Sequence, residues 1–228
     1  MSWNHLTDWW VREVTDPAYA EEVVPMAVDL VGPLPGLRLL DLGCGEGQVM
    51  RAMAERGADV VGLDANPALA GLAGRAFVAA LPELRPVRSE AFDGAYVVLV
   101  LEHLDDLTPF FSEARRVVRA GGGLTVVVNH PFYSAPGAVA VTDPVDMEIL
   151  WRPGDYLDDG FSDEPAGDGT IRFHHRPLGR LLTLAAEAGW SLDRLVEAGV
   201  GPGQVRRDPT YASQVHIPRL LGARWTAR

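Results

Sequence analysis

The chain contains 228 residues, of which 47% are apolar and 22% charged, a composition that predicts one well-filled globular domain. Acidic residues outnumber basic ones by 31 to 20, and the resulting net charge of −11 argues against nucleic acid as a partner. Every basic residue is an arginine, which excludes Schiff-base lysine chemistry and a lysine-containing phosphate loop. The chain has one cysteine, and it shows neither an apolar run of 18 residues nor a signal-peptide pattern. We therefore expect a cytoplasmic protein without a membrane span.

Helical and strand patterns alternate over the first 130 residues. Apolar residues recur at helical spacing over 18–31, where Pro25 predicts a kink. Further helices are predicted over 47–57, over 66–77 with Asn66 as the N-cap, and over 105–123, and strands over 37–42, 58–64, 95–99 and 124–130. The strands are continuously apolar, which is typical of a parallel sheet covered by helices on both faces.

The pattern changes over residues 130–175. This stretch is rich in proline, glycine, aspartate and aromatic residues and has little periodicity. So long an irregular segment inside a compact domain is usually a lid or a binding region. An amphipathic helix over 176–189 and strands over 190–199 and 213–225 are predicted to follow.

A glycine-rich loop follows the first predicted strand. Its glycines are spaced G-x-G-x-G from Gly43, Asp41 precedes them, and Asp64 ends the next strand about 20 residues later, where an acid can bind a ribose diol. A dinucleotide fingerprint would read G-x-G-x-x-G, and Asp41 would repel a pyrophosphate. The arrangement favours a cationic ligand that carries an amino acid and a ribose over a nicotinamide dinucleotide.

Four stretches carry a family resemblance: LLDLGCGEG, VVGLDANP, FDGAYVVLVLEHLDDL and RVVRAGGGLTVVV. Over about residues 37–129 they resemble successive motifs of the class I S-adenosylmethionine-dependent methyltransferases of the broad small-molecule type. The resemblance implies an α/β, Rossmann-like fold with a seven-stranded, mostly parallel sheet, helices on both faces and an inserted cap. It divides a single domain into an N-terminal helical lid (1–36), a cofactor-binding half (37–129), a substrate cap (130–175) and a C-terminal helix and strands (176–228).

The resemblance also implies S-adenosylmethionine as cofactor and S-adenosylhomocysteine as product. Asp41 would orient the amine and Asp64 would bind the ribose. The other implied contacts are Gly43, Cys44 and Gly45 at the methionine part, Ala65 and Asn66 at the adenine, and Val97, Val98 and Leu99 at the carboxylate and sulfonium, with Cys44 mainly filling the loop. Where relatives often place an aspartate against the adenine, this chain has Ala79 and Ala80. Glu83 or a backbone carbonyl would substitute, or the adenine is held more loosely.

Histidines near the predicted pocket are candidates for a general base, because imidazole can take up a proton near neutral pH. His174 and His175 follow the cap; alternatively, one of them caps the following helix or packs beneath it and the other faces water. His130 ends the fifth strand of the frame, at the edge of the pocket. His103 is expected to support the loop after the fourth strand rather than to touch substrate. His5 would belong to the lid or to a surface helix.

Aromatic residues flank the predicted pocket along the chain and would suit a flat, apolar methyl acceptor. The candidates for substrate binding are Trp9, Tyr19, Phe132, Tyr133, Trp151 and Tyr156, with Trp10 beside them, and ordinary core packing would account for about half of them. The acidic run over 155–164 is expected to be a solvated loop, and no metal site is predicted.

These observations predict an enzyme that methylates a small aromatic or apolar molecule, such as a bacterial specialised metabolite. One alternative is a methyltransferase of quinone or lipid intermediates, which an exposed apolar lid would favour. The other is a cofactor-binding subunit that has lost catalysis and serves as a partner. The sequence leaves open the acceptor atom and the oligomeric state.

Overall fold

The computed structural model describes residues 6–13, 16–167 and 169–228. Its helices are α1 (Thr7–Glu13), α2 (Val24–Val31), α3 (Gln48–Ala54), α4 (Pro67–Ala73), α5 (Thr108–Val117), α6 (Pro131–Ser134), α7 (Leu178–Glu187) and α8 (Pro202–Arg207). Its strands are β1 (Arg38–Leu42), β2 (Asp59–Asp64), β3 (Ala76–Val78), β4 (Phe92–Val98), β5 (Val118–Asn129), β6 (Val139–Thr142), β7 (Ile149–Arg152), β8 (Gly160–Ala166), β9 (Gly169–His175), β10 (Trp190–Ala198) and β11 (Leu220–Ala227). A π-helical turn (Tyr19–Val23) leads into α2, and 3₁₀ turns cover Leu101–His103 and Pro209–Gln214.

Seven strands form the central sheet in the order β10-β11-β5-β4-β1-β2-β3. Strands β3, β2, β1, β4 and β5 are parallel, and β11 runs antiparallel to both β5 and β10. The seven-stranded, mostly parallel sheet predicted from the sequence is therefore confirmed. Because β1, β2 and β4 are parallel neighbours, the loops that follow them lie at one edge of the sheet, where open α/β sheets bind ligands.

Helices cover both faces of the sheet, and side chains alternate between two cores along each strand. In β1, Leu39 joins Met53 and Tyr96 in the core beneath α2 and α3. Its neighbour Leu40 joins Phe111 in the core beneath α5 and α7. All five side chains are essentially inaccessible to solvent, which fixes the register of β1 and hence the direction of Asp41.

The kink predicted at Pro25 takes the form of the π-helical turn that precedes it. Proline lacks a backbone N–H, so the regular hydrogen-bond ladder is interrupted at this point. The N–H of Val24 instead bonds to the carbonyl of Tyr19, five residues earlier. This turn carries Tyr19 to the edge of the sheet where the glycine loop lies.

Residues 130–175 contain more regular structure than the sequence pattern indicated. They form two antiparallel hairpins, β6–β7 and β8–β9, which make separate two-stranded sheets. Proline, glycine and aspartate interrupt the alternation of apolar and polar residues, which hid these short strands.

Three other local predictions were wrong. The strand predicted over 213–225 begins only at Leu220, after Pro218. The helix predicted over 105–123 ends earlier, at Val117. The residues that follow belong to β5, and residues 119–122 form an irregularity in that strand opposite Phe92–Gly94. The short strand β3 was not predicted, because the helix predicted over 66–77 extended into its residues. No helix in the described parts of the chain is long and apolar enough to cross a membrane.

Candidate active site

A cleft of about 1030 Å³, including its open mouth, lies at the carboxyl ends of β1, β2 and β4. Its lining includes Trp10 and Tyr19, the glycine loop from Gly43 to Glu46, Asp64 and Ala65, Ala79 to Leu81, Val98 to Val100, His103 and Leu104.

The glycine loop presents bare backbone to this cleft. The N–H groups of Gly43 and Cys44 both donate to the carbonyl of Leu63, at 2.9 and 2.8 Å, and so tie the loop to β2. Gly43 has a φ of +92°, and a Cβ there would lie 2.6 Å from Val100. Gly45 has a φ of +53°. Both positions therefore require glycine, and the loop offers the close backbone approach that the sequence predicted.

Asp64 joins the glycine loop to the start of α4. Its two carboxylate oxygens accept hydrogen bonds from the backbone N–H groups of Gly45 (2.9 Å) and Asn66 (2.8 Å). Burial raises the pKa of Asp64, although these hydrogen bonds oppose the shift. A carboxylate oxygen can accept more than one hydrogen bond, so Asp64 can still bind a pair of hydroxyl groups.

Asp41 is only 2% exposed and lies between Gly62 of β2 and Tyr96 of β4. Burial is the main reason that the pKa of Asp41 is raised to about 8; repulsion from Asp64 and Glu46 adds to the shift, and Tyr96 partly opposes it. At neutral pH the carboxyl is therefore largely protonated in the absence of a cation. A bound ammonium group would favour the carboxylate.

These features fit S-adenosylmethionine, the cofactor implied by the sequence. The glycine loop and an acid suited to a diol, Asp64, line one cleft, and the acid suited to an amine, Asp41, is buried at the end of β1 and is not part of the lining. Ala79, Ala80 and Leu81 supply an apolar wall at the end where the adenine is expected. Glu83 is exposed and paired with Arg85, so it does not replace the missing adenine aspartate.

Two predicted cofactor contacts are corrected by the structure. Val97 is completely buried in the core beneath α5, so only Val98 and Leu99 of that trio line the cleft. Asn66 caps α4 by accepting from the N–H groups of Ala68 and Leu69, as its sequence context predicted, and its side chain does not line the cleft. Cys44 does line it, while burial raises the pKa of its thiol and keeps it protonated.

Helix α1 forms a lid over the glycine loop. A Cβ on Gly45 would lie 3.3 Å from the Trp10 indole nitrogen, so Trp10 rests directly on the loop. The side-chain amide of Asn66 donates to the hydroxyl of Thr7 at 2.7 Å and ties the lid to α4. Trp9, a predicted substrate contact, instead packs with Leu6 against the β8–β9 hairpin. His5 lies outside the described residues.

His103, which the sequence assigned to a supporting role, lines the cleft. Its Nδ1–H donates to the carbonyl of Arg172 at 3.1 Å, because a carbonyl can only accept. The Phe173 ring contacts the imidazole edge-on, with 4.7 Å between the ring centroids. Burial lowers the pKa of His103, so the ring is neutral at pH 7 and its basic lone pair is on Nε2.

The three histidines predicted as bases lie elsewhere. His130 is buried; its Nδ1 accepts from the N–H of Phe132 and its Nε2–H donates to Glu197 at 2.7 Å, so both nitrogens hold structure together. His174 and His175 line a second, smaller cavity behind the Leu101–His103 turn. The Nε2–H of His175 donates to the carbonyl of Tyr156 at 2.9 Å. None of these three imidazoles lines the cofactor cleft.

Most of the predicted aromatic contacts form a separate cluster in the cap. Tyr133 stacks on Trp151 at 4.6 Å between ring centroids, and Phe132 meets Tyr156 edge-on at 6.4 Å. These four rings do not line the cleft. The Tyr133–Trp151 pair joins α6 to β7, and the Phe132–Tyr156 pair joins α6 to the segment that follows β7. Of the predicted substrate-binding residues, Tyr19 alone lies in the cleft lining.

Comparison with known proteins identifies the domain. A crystal structure of an S-adenosylmethionine-dependent methyltransferase from Mesorhizobium loti superposes with a TM-score of 0.78 and 26% sequence identity, covering 89% of this chain and 96% of that one. Residues 40–126 match the family model described as a methyltransferase domain. Residues 40–126 therefore match a methyltransferase domain, and the fold of the chain is that of the S-adenosylmethionine-dependent methyltransferases.

Named relatives of this methyltransferase domain cover only part of the chain. The ubiquinone biosynthesis O-methyltransferase of Sinorhizobium medicae is 34% identical over 131 residues, 53% of this chain and 52% of that protein. The enzyme of the same name from Hahella chejuensis is 33% identical over 129 residues, 51% and 54% of the two chains. The chain thus spans about half the length of the relatives it matches.

The same fold also supports other chemistry. The [4+2]-cyclase SpnF superposes with a TM-score of 0.60 at 17% identity, covering 91% of this chain and 81% of that one. At that identity the likeness extends to the fold alone. The reaction of the methyltransferase domain must therefore be argued from its site.

Proposed function

We propose that the protein transfers a methyl group from S-adenosylmethionine to a hydroxyl group of a small aromatic molecule. The observation that carries the proposal is the position of His103: among the described residues it is the only imidazole that lines the cofactor cleft. The name O-methyltransferase, borne by relatives that match half of the chain, supports a hydroxyl acceptor.

When bound, the cofactor supplies a methyl group on a positively charged sulfur, which is open to in-line attack. The chain contributes mainly alignment and exclusion of water. Asp41 and Asp64 would hold the two ends of the cofactor, while the glycine loop lies along its middle. Trp10 closes the cleft from above and Tyr19 supplies a second aromatic wall.

A hydroxyl group attacks efficiently only if it loses its proton before or during methyl transfer. His103 is suited to accept that proton, because its imidazole lines the cleft and its lowered pKa keeps it neutral. The Phe173 ring and the β9 backbone fix the plane of the imidazole. Both come from the β8–β9 hairpin on which the lid also packs.

A lipid-tailed hydroxyarene, such as a quinone precursor, is a second candidate for the acceptor. The solvent-facing side of the β6–β7 hairpin carries Val139, Val141 and Leu150, and its tip carries Val145 and Met147. All five are substantially exposed, and Val145 is 91% exposed. An apolar surface on the cap would suit an acceptor with an apolar tail better than a compact specialised metabolite.

The proposal is tested by incubating the protein with methyl-labelled S-adenosylmethionine and catechol, with and without an isoprenoid tail on the ring. We expect the label in an aryl methyl ether, because a ring hydroxyl is the attacking group. A higher kcat/KM for the tailed catechol would favour the lipid-tailed acceptor. Label on carbon or nitrogen in a broader acceptor panel, with none on oxygen, would contradict the proposal.

A further inference from the structure

The acceptor end of the cleft has an unusual distribution of charge. The walls that we assign to the acceptor are Trp10, Tyr19, Val100, His103 and Leu104, of which Trp10 and Val100 also lie against the glycine loop. These side chains are apolar or aromatic, apart from the Tyr19 hydroxyl and the neutral imidazole of His103. Burial raises the pKa of Tyr19, so its hydroxyl also carries no charge.

The ionisable groups next to this end are acids. Glu46 and Asp64 line the cleft, and Asp41 lies buried beneath it. Among the described lining residues there is no arginine.

The arginines near the cleft are engaged with other groups. Arg51 approaches the Glu46 carboxylate at 3.9 Å and donates to the Glu46 backbone carbonyl at 2.7 Å, so the charge of Glu46 is partly offset. Arg172 forms a two-point ion pair with Asp163 at 2.8 and 2.9 Å, on the far side of the hairpin. Arg176 donates to the backbone carbonyls of Leu104 and Asp105 behind the turn and lines the second cavity. Neither guanidinium faces the cleft, so neither is placed to bind an anionic group of an acceptor.

We propose that this cleft accepts uncharged or cationic methyl acceptors and rejects those that carry a carboxylate or phosphate beside the reacting hydroxyl. An anionic group would lose its hydration in a largely apolar pocket, gain no cationic partner and face Glu46 and Asp64. The ammonium and carboxylate charges of the bound cofactor offset each other, and its sulfonium charge lies at the reacting centre rather than at the outer wall. The proposal rests on the methyl transfer proposed above and specifies its substrate class.

Three catechols that share the reacting diol and differ in charge test this proposal. We would measure kcat/KM for catechol, 3,4-dihydroxybenzoate and 4-(2-aminoethyl)catechol, with S-adenosylmethionine binding measured in parallel. We expect the carboxylate to be at least about tenfold poorer than catechol, and the amine to be equal to catechol or better. If 3,4-dihydroxybenzoate were turned over as fast as catechol or faster, the proposed rejection of anionic acceptors would be overturned, whereas the proposed methyl transfer would still hold.

A charge added to the wall provides a second readout. In Leu104→Arg the ratio of carboxylate to catechol turnover should rise at least about tenfold, because a guanidinium would then face the anion. Leu157→Arg is the matched control, since Leu157 is 82% exposed and outside the cleft, and the ratio should stay as in the wild type. An unchanged ratio in Leu104→Arg would count against the proposal. Methylation of none of the three by the wild type, with cofactor binding intact, would overturn the proposed function and this inference with it.

Discussion

Replacing His103 with asparagine is expected to lower kcat/KM at pH 7 by about 100-fold or more while S-adenosylmethionine binds as before. The asparagine amide can still donate to the Arg172 carbonyl, which His103 Nδ1 now contacts at 3.1 Å, but it cannot accept the acceptor's proton. General-base catalysis by a positioned side chain is typically worth a factor of about 10²–10⁴. The measurement is steady-state turnover of catechol, with the cofactor affinity measured by calorimetry.

The control is His174→Asn, which removes an imidazole from the second cavity rather than from the cleft. It should retain wild-type turnover within about threefold.

The pH profile gives a further check. Since burial lowers the pKa of His103, wild-type activity should stay level down to pH 6.5 and fall only as the pH drops below it. Turnover by His103→Asn close to that of the wild type would show that His103 is not the base.

Replacing Asp41 with asparagine is expected to stabilise the ligand-free protein at pH 8 and to weaken its affinity for S-adenosylmethionine. The folded-state pKa of Asp41 is about 8, above the ordinary value of 3.8 that applies to the unfolded chain. Asp41 therefore favours the folded state fully below about pH 4, and this contribution is lost as the pH rises from about 4 to about 8. Asparagine has no proton to lose, so it avoids that penalty.

The gain should be at least about 2 kcal/mol at pH 8, which corresponds to a rise in Tm of several degrees for a chain of this size. At pH 5 the gain should be much smaller. Cofactor affinity at pH 8 should fall by about tenfold or more, because the neutral amide cannot attract the ammonium group. Thermal unfolding at both pH values and calorimetry at pH 8 check the two effects. A variant less stable than the wild type at pH 8 would contradict a raised pKa of Asp41 in the folded protein.

The cofactor half of the site could be predicted from sequence because its signals are local. The glycine spacing, Asp41 and Asp64 are set by backbone geometry within one strand–helix–strand unit, and Asn66 followed by Pro67 is a strong N-cap pattern. The prediction that Val97 contacts the cofactor was wrong for a reason that is also local. Alternate residues of a strand face opposite sides of the sheet, and Val97 faces the core under α5.

The acceptor half could not be predicted in the same way, because it depends on which way a single turn of 3₁₀ helix is rotated. Glu102 turns inward, where it accepts from the backbone and side-chain N–H groups of Asn129, and the next residue, His103, turns into the cleft. The sequence did contain one signal that favoured His103 over the other histidines as a residue of the cleft. His103 follows the strand that lies next to β1, whereas His174 and His175 end a hairpin outside the main sheet.

The most direct test of the central claim is a calorimetric titration of the wild-type protein and of Asp64→Ala with S-adenosylmethionine. We predict micromolar binding to the wild type, about −8 kcal/mol. Affinity should fall at least about 30-fold in Asp64→Ala, because the alanine removes both the acceptor for the ribose hydroxyls and the anchor of Gly45. No binding to the wild-type protein, or equal affinity in the variant, would contradict the assignment of this cleft to the cofactor.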